Sequence, residues 1–146
     1  MFFVFEGKGS MAHIPRRLAV KLLGISKYHF DHWHELYDPC EIKPRRYKFA
    51  DLIIYALIND LVRSDGITLA QLRTSITQET LLSLRTALIK EPKAQLWFHL
   101  IRRKKHSYWQ AQEEYEQDPL RFEHRGHLCY EIQSLREQLV ARFETL

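Results

Sequence analysis

The chain is poor in the features that identify several classes of protein. It has two cysteines in 146 residues, Cys40 and Cys129, far apart in the sequence. That usage argues against a disulfide framework or a structural zinc site and suits a reducing cytoplasm. No stretch approaches the roughly 18 uninterrupted apolar residues that a membrane span requires, so no membrane partner is expected. Glycine occurs at five positions, and none belongs to a phosphate-cradling loop. A nucleophile elbow, a zinc-protease helix motif and a zinc-deaminase pair are equally missing. Without a constellation of catalytic groups, neither enzyme activity nor a cofactor is expected.

Histidine is more frequent, at eight positions. His29, His32 and His34 with Asp31 come nearest to a metal cluster. His29 and His32, however, share a helix face only at i, i+3, and His34 points elsewhere, so no metal is expected. His124 and His127 flank a glycine turn and read as loop residues.

A hydrophobic fraction of 45% with 27% charged residues is that of a soluble globular chain, enough for one domain or a small domain with an appendage. The net charge of +4 is unevenly spread. Residues 11–48 carry Arg16, Arg17, Lys21, Lys27, Lys43, Arg45, Arg46 and Lys48 against Asp31, Glu35, Asp38 and Glu41, and the remainder is close to neutral. Attraction to a polyanion therefore belongs to the N-terminal part.

Residues 1–11 read as a leader or a disordered segment, because an apolar Met1–Phe5 run is followed by Gly7-Lys8-Gly9-Ser10 before a second methionine; the alternative is a native first strand. Between Ile14 and Leu23, apolar Leu18, Ala19, Leu22 and Leu23 recur with helical spacing, and Gly24 ends that helix. Ser26 is placed to cap a second helix with Phe30, Trp33 and Tyr37 inward and Lys27, Tyr28, Asp31 and His32 outward. Arg45 to Phe49 alternates with period two and predicts a short basic strand. A third helix starts near Ala50 or Asp51 and carries a wide apolar stripe through Ile53, Leu57 and Leu61. Thr68 and Gln71 have capping-box spacing for a fourth, and a fifth runs from about Gln78 to Lys90.

Beyond Pro92 the pattern changes. Residues 95–101 and 106–109 read as a hairpin around Arg102-Arg103-Lys104-Lys105, with a wide loop because no Gly or Asn is available; a continuous helix over 94–117 is the competing reading. Trp97, Phe98, Tyr108 and Trp109 form either the hairpin's core or a pocket for a small effector. The basic tip is either solvated or an extra phosphate contact. Leu128, Tyr130 and Ile132 alternate as a last strand, and Leu135, Leu139, Val140 and Phe143 stripe a terminal helix that needs a partner surface, either the same helix of a second copy or the strands of its own chain. The expected fold class is α+β, divided as 12–76, a connecting helix at 77–92, and a small strand-containing region at 93–146.

Four motifs fall in a specific order: Leu18-Ala19 to Leu23-Gly24-Ile25-Ser26, Phe30-x-x-Trp33, Arg46-Tyr47 to Asp51-Leu52, and Asp65-Gly66-Ile67-Thr68-Leu69 to Leu72-Arg73. Together they cover about 65 residues and resemble the MerR family of bacterial transcription regulators. The resemblance implies a winged helix-turn-helix in residues 12–76, with the second helix in the major groove, a wing on phosphates, and a homodimer on a near-palindromic DNA site. It makes Arg16, Arg17, Ser26, Lys27, Tyr28, His29, His32, Lys43, Arg45, Arg46 and Lys48 the DNA-binding residues, and Leu135, Leu139, Val140 and Phe143 the dimer surface. RNA polymerase is a candidate further partner. Asp31 departs from the family, which usually has a basic residue there, and local pairing with Lys27 is the expected accommodation. The wing also lacks the family's common glycine. An architectural or excision accessory factor on the same motif, or a protein-interaction adaptor, are the alternatives to a transcription regulator.

Overall fold

Helix α3 (Phe49–Asn59) is apolar on nearly every side, and a helix with that pattern is stable only when surrounded. In the computed structural model, which describes residues 13–40, 45–118 and 126–146, α3 runs through the centre. Helices α1 (Arg16–Leu23), α5 (Gln78–Lys90) and α7 (Ile132–Glu144) pack on it. The described residues also form α2 (Lys27–Trp33), α4 (Leu69–Ser75) and α6 (Gln112–Gln117). Two small antiparallel sheets complete a mixed α+β arrangement. One pairs β1 (Ile14–Pro15) with β2 (Arg46–Tyr47); the other has the order β4-β3-β5, from β3 (Leu96–Ile101), β4 (His106–Ala111) and β5 (His127–Glu131). Buried side chains from Ile14 to Leu139 make one continuous cluster, so the three expected segments share a core.

Local chemistry accounts for most boundaries. Gly24 takes φ 66°, and its N–H reaches the carbonyls of Val20 and Lys21, a left-handed C-cap that a β-carbon would disfavour. Ser26 accepts the His29 N–H at 3.1 Å and starts α2. Thr68 and Gln71 form the expected capping box of α4. The basic hairpin is present and excludes the continuous helix over 94–117, with Lys105 taking the positive φ of 49° in place of a glycine.

Four expectations are corrected. Ile14 and Pro15 precede the first helix as a strand, because Ile14 is buried against Tyr47 across the β1–β2 ladder. Phe49 opens α3 rather than continuing the basic strand, which is only two residues long. Ile132 begins α7 rather than ending β5. The stripe of α7 is covered by the chain's own α3: Leu135 and Leu139 are 3% and 2% exposed, and Val140 and Phe143 pack beside them. Leu135 and Leu139 are therefore core residues of one copy, not an open dimer surface. The end of α7 reaches further, where Arg142 donates to the carbonyls of Leu22 and Leu23 at 3.2 and 3.1 Å and satisfies the last turn of α1.

The four aromatics of the hairpin separate by strand alternation. Phe98 and Trp109 are opposite one another on the face toward the helices, where the Trp109 indole donates to Ser83. Trp97 and Tyr108 lie on the other face, where Trp97 stacks on Tyr115 and Tyr108 on His99 with centroids 4.0 and 4.6 Å apart. They do not converge on one pocket.

One buried charge ties the N-terminal elements together. Asp51, in the first turn of α3, is fully buried and accepts from the Tyr37 hydroxyl at 2.6 Å, the Arg85 Nε at 2.6 Å and the Lys48 N–H at 2.8 Å. Tyr55, one turn along α3, donates to the Tyr37 carbonyl at 2.7 Å. Breaking a buried pair by removing one partner leaves an uncompensated charge and costs about 3–5 kcal/mol. Asp51→Ala, which strands Arg85, is expected to destabilise by that amount, and Tyr37→Phe, which leaves Asp51 two donors, by about 1 kcal/mol; urea unfolding followed by circular dichroism measures both.

Candidate nucleic-acid interface

The sequence places its cationic surplus around α1, α2 and the strand before α3, and the structure shows how those side chains are held. Phe30 and Trp33 are buried, which fixes the roll of α2 and turns Lys27, Tyr28 and His29 to solvent. Tyr28 is 68% exposed, the most exposed large aromatic among the described residues. It sits edge-on to His32, with ring centroids 4.5 Å apart. His29 is tied to the cap, its Nδ1 lying 2.8 Å from the Ser26 hydroxyl, so Ser26 serves the helix start as well as the surface.

The acidic residues of this region each meet an arginine. Asp31 takes a two-pronged contact from Arg16, at 2.6 to 3.0 Å, rather than the expected bond from Lys27. The reason is reach: Arg16 opens α1 directly against the outer face of α2, and its planar fork matches a carboxylate. Asp38 pairs with Arg45 at 2.8 Å, and although part burial opposes it, the Arg45 hydrogen bond holds the Asp38 carboxyl below its ordinary range. Glu35 pairs with Arg73 of α4. Of the predicted DNA-binding cations, Arg16 and Arg45 are thus engaged by carboxylates. Arg17, Lys27, Arg46 and Lys48 have no ion pair among the described residues. Arg46 is exposed and donates to the Arg45 carbonyl. Lys43 lies outside the described residues.

Two groups here escaped the sequence reading. His34 bridges α2 and β2: its Nδ1 is 2.8 Å from the Phe30 carbonyl, and its Nε2 is 2.7 Å from the Tyr47 hydroxyl. A carbonyl only accepts, so Nδ1 carries the proton and Tyr47 donates to Nε2. Arg73 is the second, joined to Glu35 across 38 residues of sequence. No spacing rule links either pair, since each partner arrives on a different element.

Together α2 and β2 present a cationic and partly aromatic surface above a buried base of Phe30, Trp33 and Tyr47. It offers donors and a ring for contacts to phosphates or base edges. The described residues include no cluster of three or more His, Cys, Asp or Glu placed to hold a metal ion. Comparison with protein-family models, with curated proteins and with solved structures finds no match to this chain.

Burial, the largest influence, lowers the His34 pKa from its ordinary value near 6.5, and burial together with the His127 side chain does the same for His99. The unfolded chain therefore binds more protons than the folded one below about pH 6.5, and stability falls as the pH drops through that value. Each histidine contributes a slope of at most about 1.4 kcal/mol per pH unit. Melting temperature is expected to decline from pH 7 to 5, and His34→Gln to flatten that decline; a melting temperature constant over the range contradicts the assignment. The Asp31–Arg16 pair yields a separate expectation. Asp31→Asn releases Arg16 to an approaching polyanion, so the salt dependence of any duplex-DNA binding by this surface should steepen by about one unit of slope, as read by fluorescence anisotropy.

Proposed function

We propose that this chain binds duplex DNA through α2 and β2 and acts as a sequence-specific transcription regulator. In this reading α1, the Gly24 turn and α2 are a helix-turn-helix, and the segment around β2 is its wing, as in the MerR family. The observation that carries it is the outward presentation of Lys27, Tyr28 and His29 on a capped helix locked by Phe30 and Trp33, beside exposed Arg46. Lys27, Tyr28, His29 and His32 would meet base edges, and Arg17, Arg46 and Lys48 phosphates. The paired Arg16 and Arg45 contribute once their carboxylates give way. Two copies on a near-palindromic site would meet on a surface other than Leu135 and Leu139.

Selection of bound sequences from a random duplex pool should return a motif; an inverted repeat calls for two copies and a single half-site for one. Arg17→Glu with Arg46→Glu is expected to lower affinity for every duplex at least about tenfold and to reduce the salt slope by about two, because both phosphate contacts become repulsive. Unchanged duplex binding in the double variant overturns the reading. A function retained with no duplex binding in either protein points instead to an adaptor.

A further inference from the structure

The second concentration of cations lies against another face of α4. The tip of the β3–β4 hairpin brings Arg102, Arg103 and Lys105 against Gln71, Thr74 and Ser75, and the cleft between them has a volume of about 460 Å³. All three cations are exposed, and among the described residues no carboxylate lines the cleft and none of the three has an ion pair. Like charges gathered on a concave surface repel one another and raise the local concentration of anions. The tip conformation is specific. Lys105 takes a left-handed φ of 49°, rare for a residue with a β-carbon, and its N–H closes a turn onto the Arg102 carbonyl at 3.2 Å. Gly126 adds the third wall, accepting from the Arg102 N–H at 3.4 Å.

The lining selects the ligand class. Two guanidinium forks, one ammonium, an amide and two hydroxyls suit the oxygens of phosphate groups, and the described lining residues include no large apolar side chain to receive a ring or an alkyl chain. Position selects the source. Gln71, Thr74 and Ser75 stand at i, i+3, i+4 on one face of α4, and Arg73 on a different face bonds Glu35, two residues beyond α2. One helix, ~10 Å across, therefore lies between the cleft and Glu35, the residue that follows α2 by two positions.

We propose that the cleft between α4 and the β3–β4 tip binds phosphate groups, supplied by the backbone of the duplex that α2 engages. This rests on the DNA-binding reading for its source and on the cleft alone for its chemistry. The test compares Arg102→Gln with Arg103→Gln against a charge-matched control, Arg63→Gln with Lys90→Gln, both exposed positions away from the cleft. Binding to a random-sequence duplex is measured by anisotropy across a salt series, pyrophosphate binding by calorimetry, and circular dichroism confirms folding. The cleft variant should lose about two units of salt slope and the control should keep the wild-type slope. Equal slopes in wild type and cleft variant overturn the proposal. If wild type binds no duplex, the DNA-binding reading fails by itself. Pyrophosphate bound by wild type and lost in the cleft variant then supports the phosphate site with a free anion as its source, and pyrophosphate bound by neither overturns the site.

Discussion

The carboxylate of Asp51 stands where four parts of the chain meet: the start of α3, the segment after α2 through Tyr37, the residue after β2 through Lys48, and α5 through Arg85. A buried charge is tolerable only if its lone pairs are filled, and three donors fill these. Because they come from different elements, the requirement is geometric as well as energetic. The backbone after β2 must stay within hydrogen-bond reach of α3, and the segment leaving α2 must bring the Tyr37 hydroxyl to the same point. The Tyr55 bond to the Tyr37 carbonyl and the His34 bond to Tyr47 add two further ties across the same region. The surface formed by α2 and β2 is thus held from beneath by polar contacts, while its own outward residues stay unencumbered by core packing.

That surface is electrostatically moderated. Asp31, Glu35 and Asp38 each occupy an arginine, and these pairs are partly or largely exposed, a setting in which an ion pair adds little to stability. Their main consequence is to the charge pattern. Arg16 and Arg45 are shared between a carboxylate and any approaching anion, whereas Arg17, Lys27, Arg46 and Lys48 have no ion pair among the described residues. The proposed binding strength is therefore set by fewer cations than the composition suggests. In the proposed DNA-binding function the acidic partners would moderate non-specific attraction and leave more of the discrimination to Tyr28 and its neighbours.

What could be read from the sequence was whatever depends on neighbours along the chain. The Gly24 stop, the Ser26 and Thr68 caps, the apolar stripe of α3 and the basic hairpin follow from side chains within about four residues of one another. The failures share the opposite property. Asp31 was expected to pair with Lys27 four residues away and pairs with Arg16 fifteen away, a partner set by how α1 packs on α2. Asp51 was legible as part of a helix start, but its bond to Arg85 spans 34 residues. The α7 stripe was seen while its partner was not, because nothing local shows that α3 has a side left to cover. Ile14 and Pro15 looked helical by spacing, yet their pairing with β2 depends on residues more than thirty positions later.

Contact between duplex DNA and the α2–β2 surface is the central proposal. Backbone amide chemical shifts recorded while a short random-sequence duplex is titrated at low salt resolve this residue by residue. Changes concentrated at Lys27, Tyr28, His29 and Arg46, with α7 unmoved, are the predicted result. Duplex binding whose shift changes leave α2 and β2 silent would contradict it.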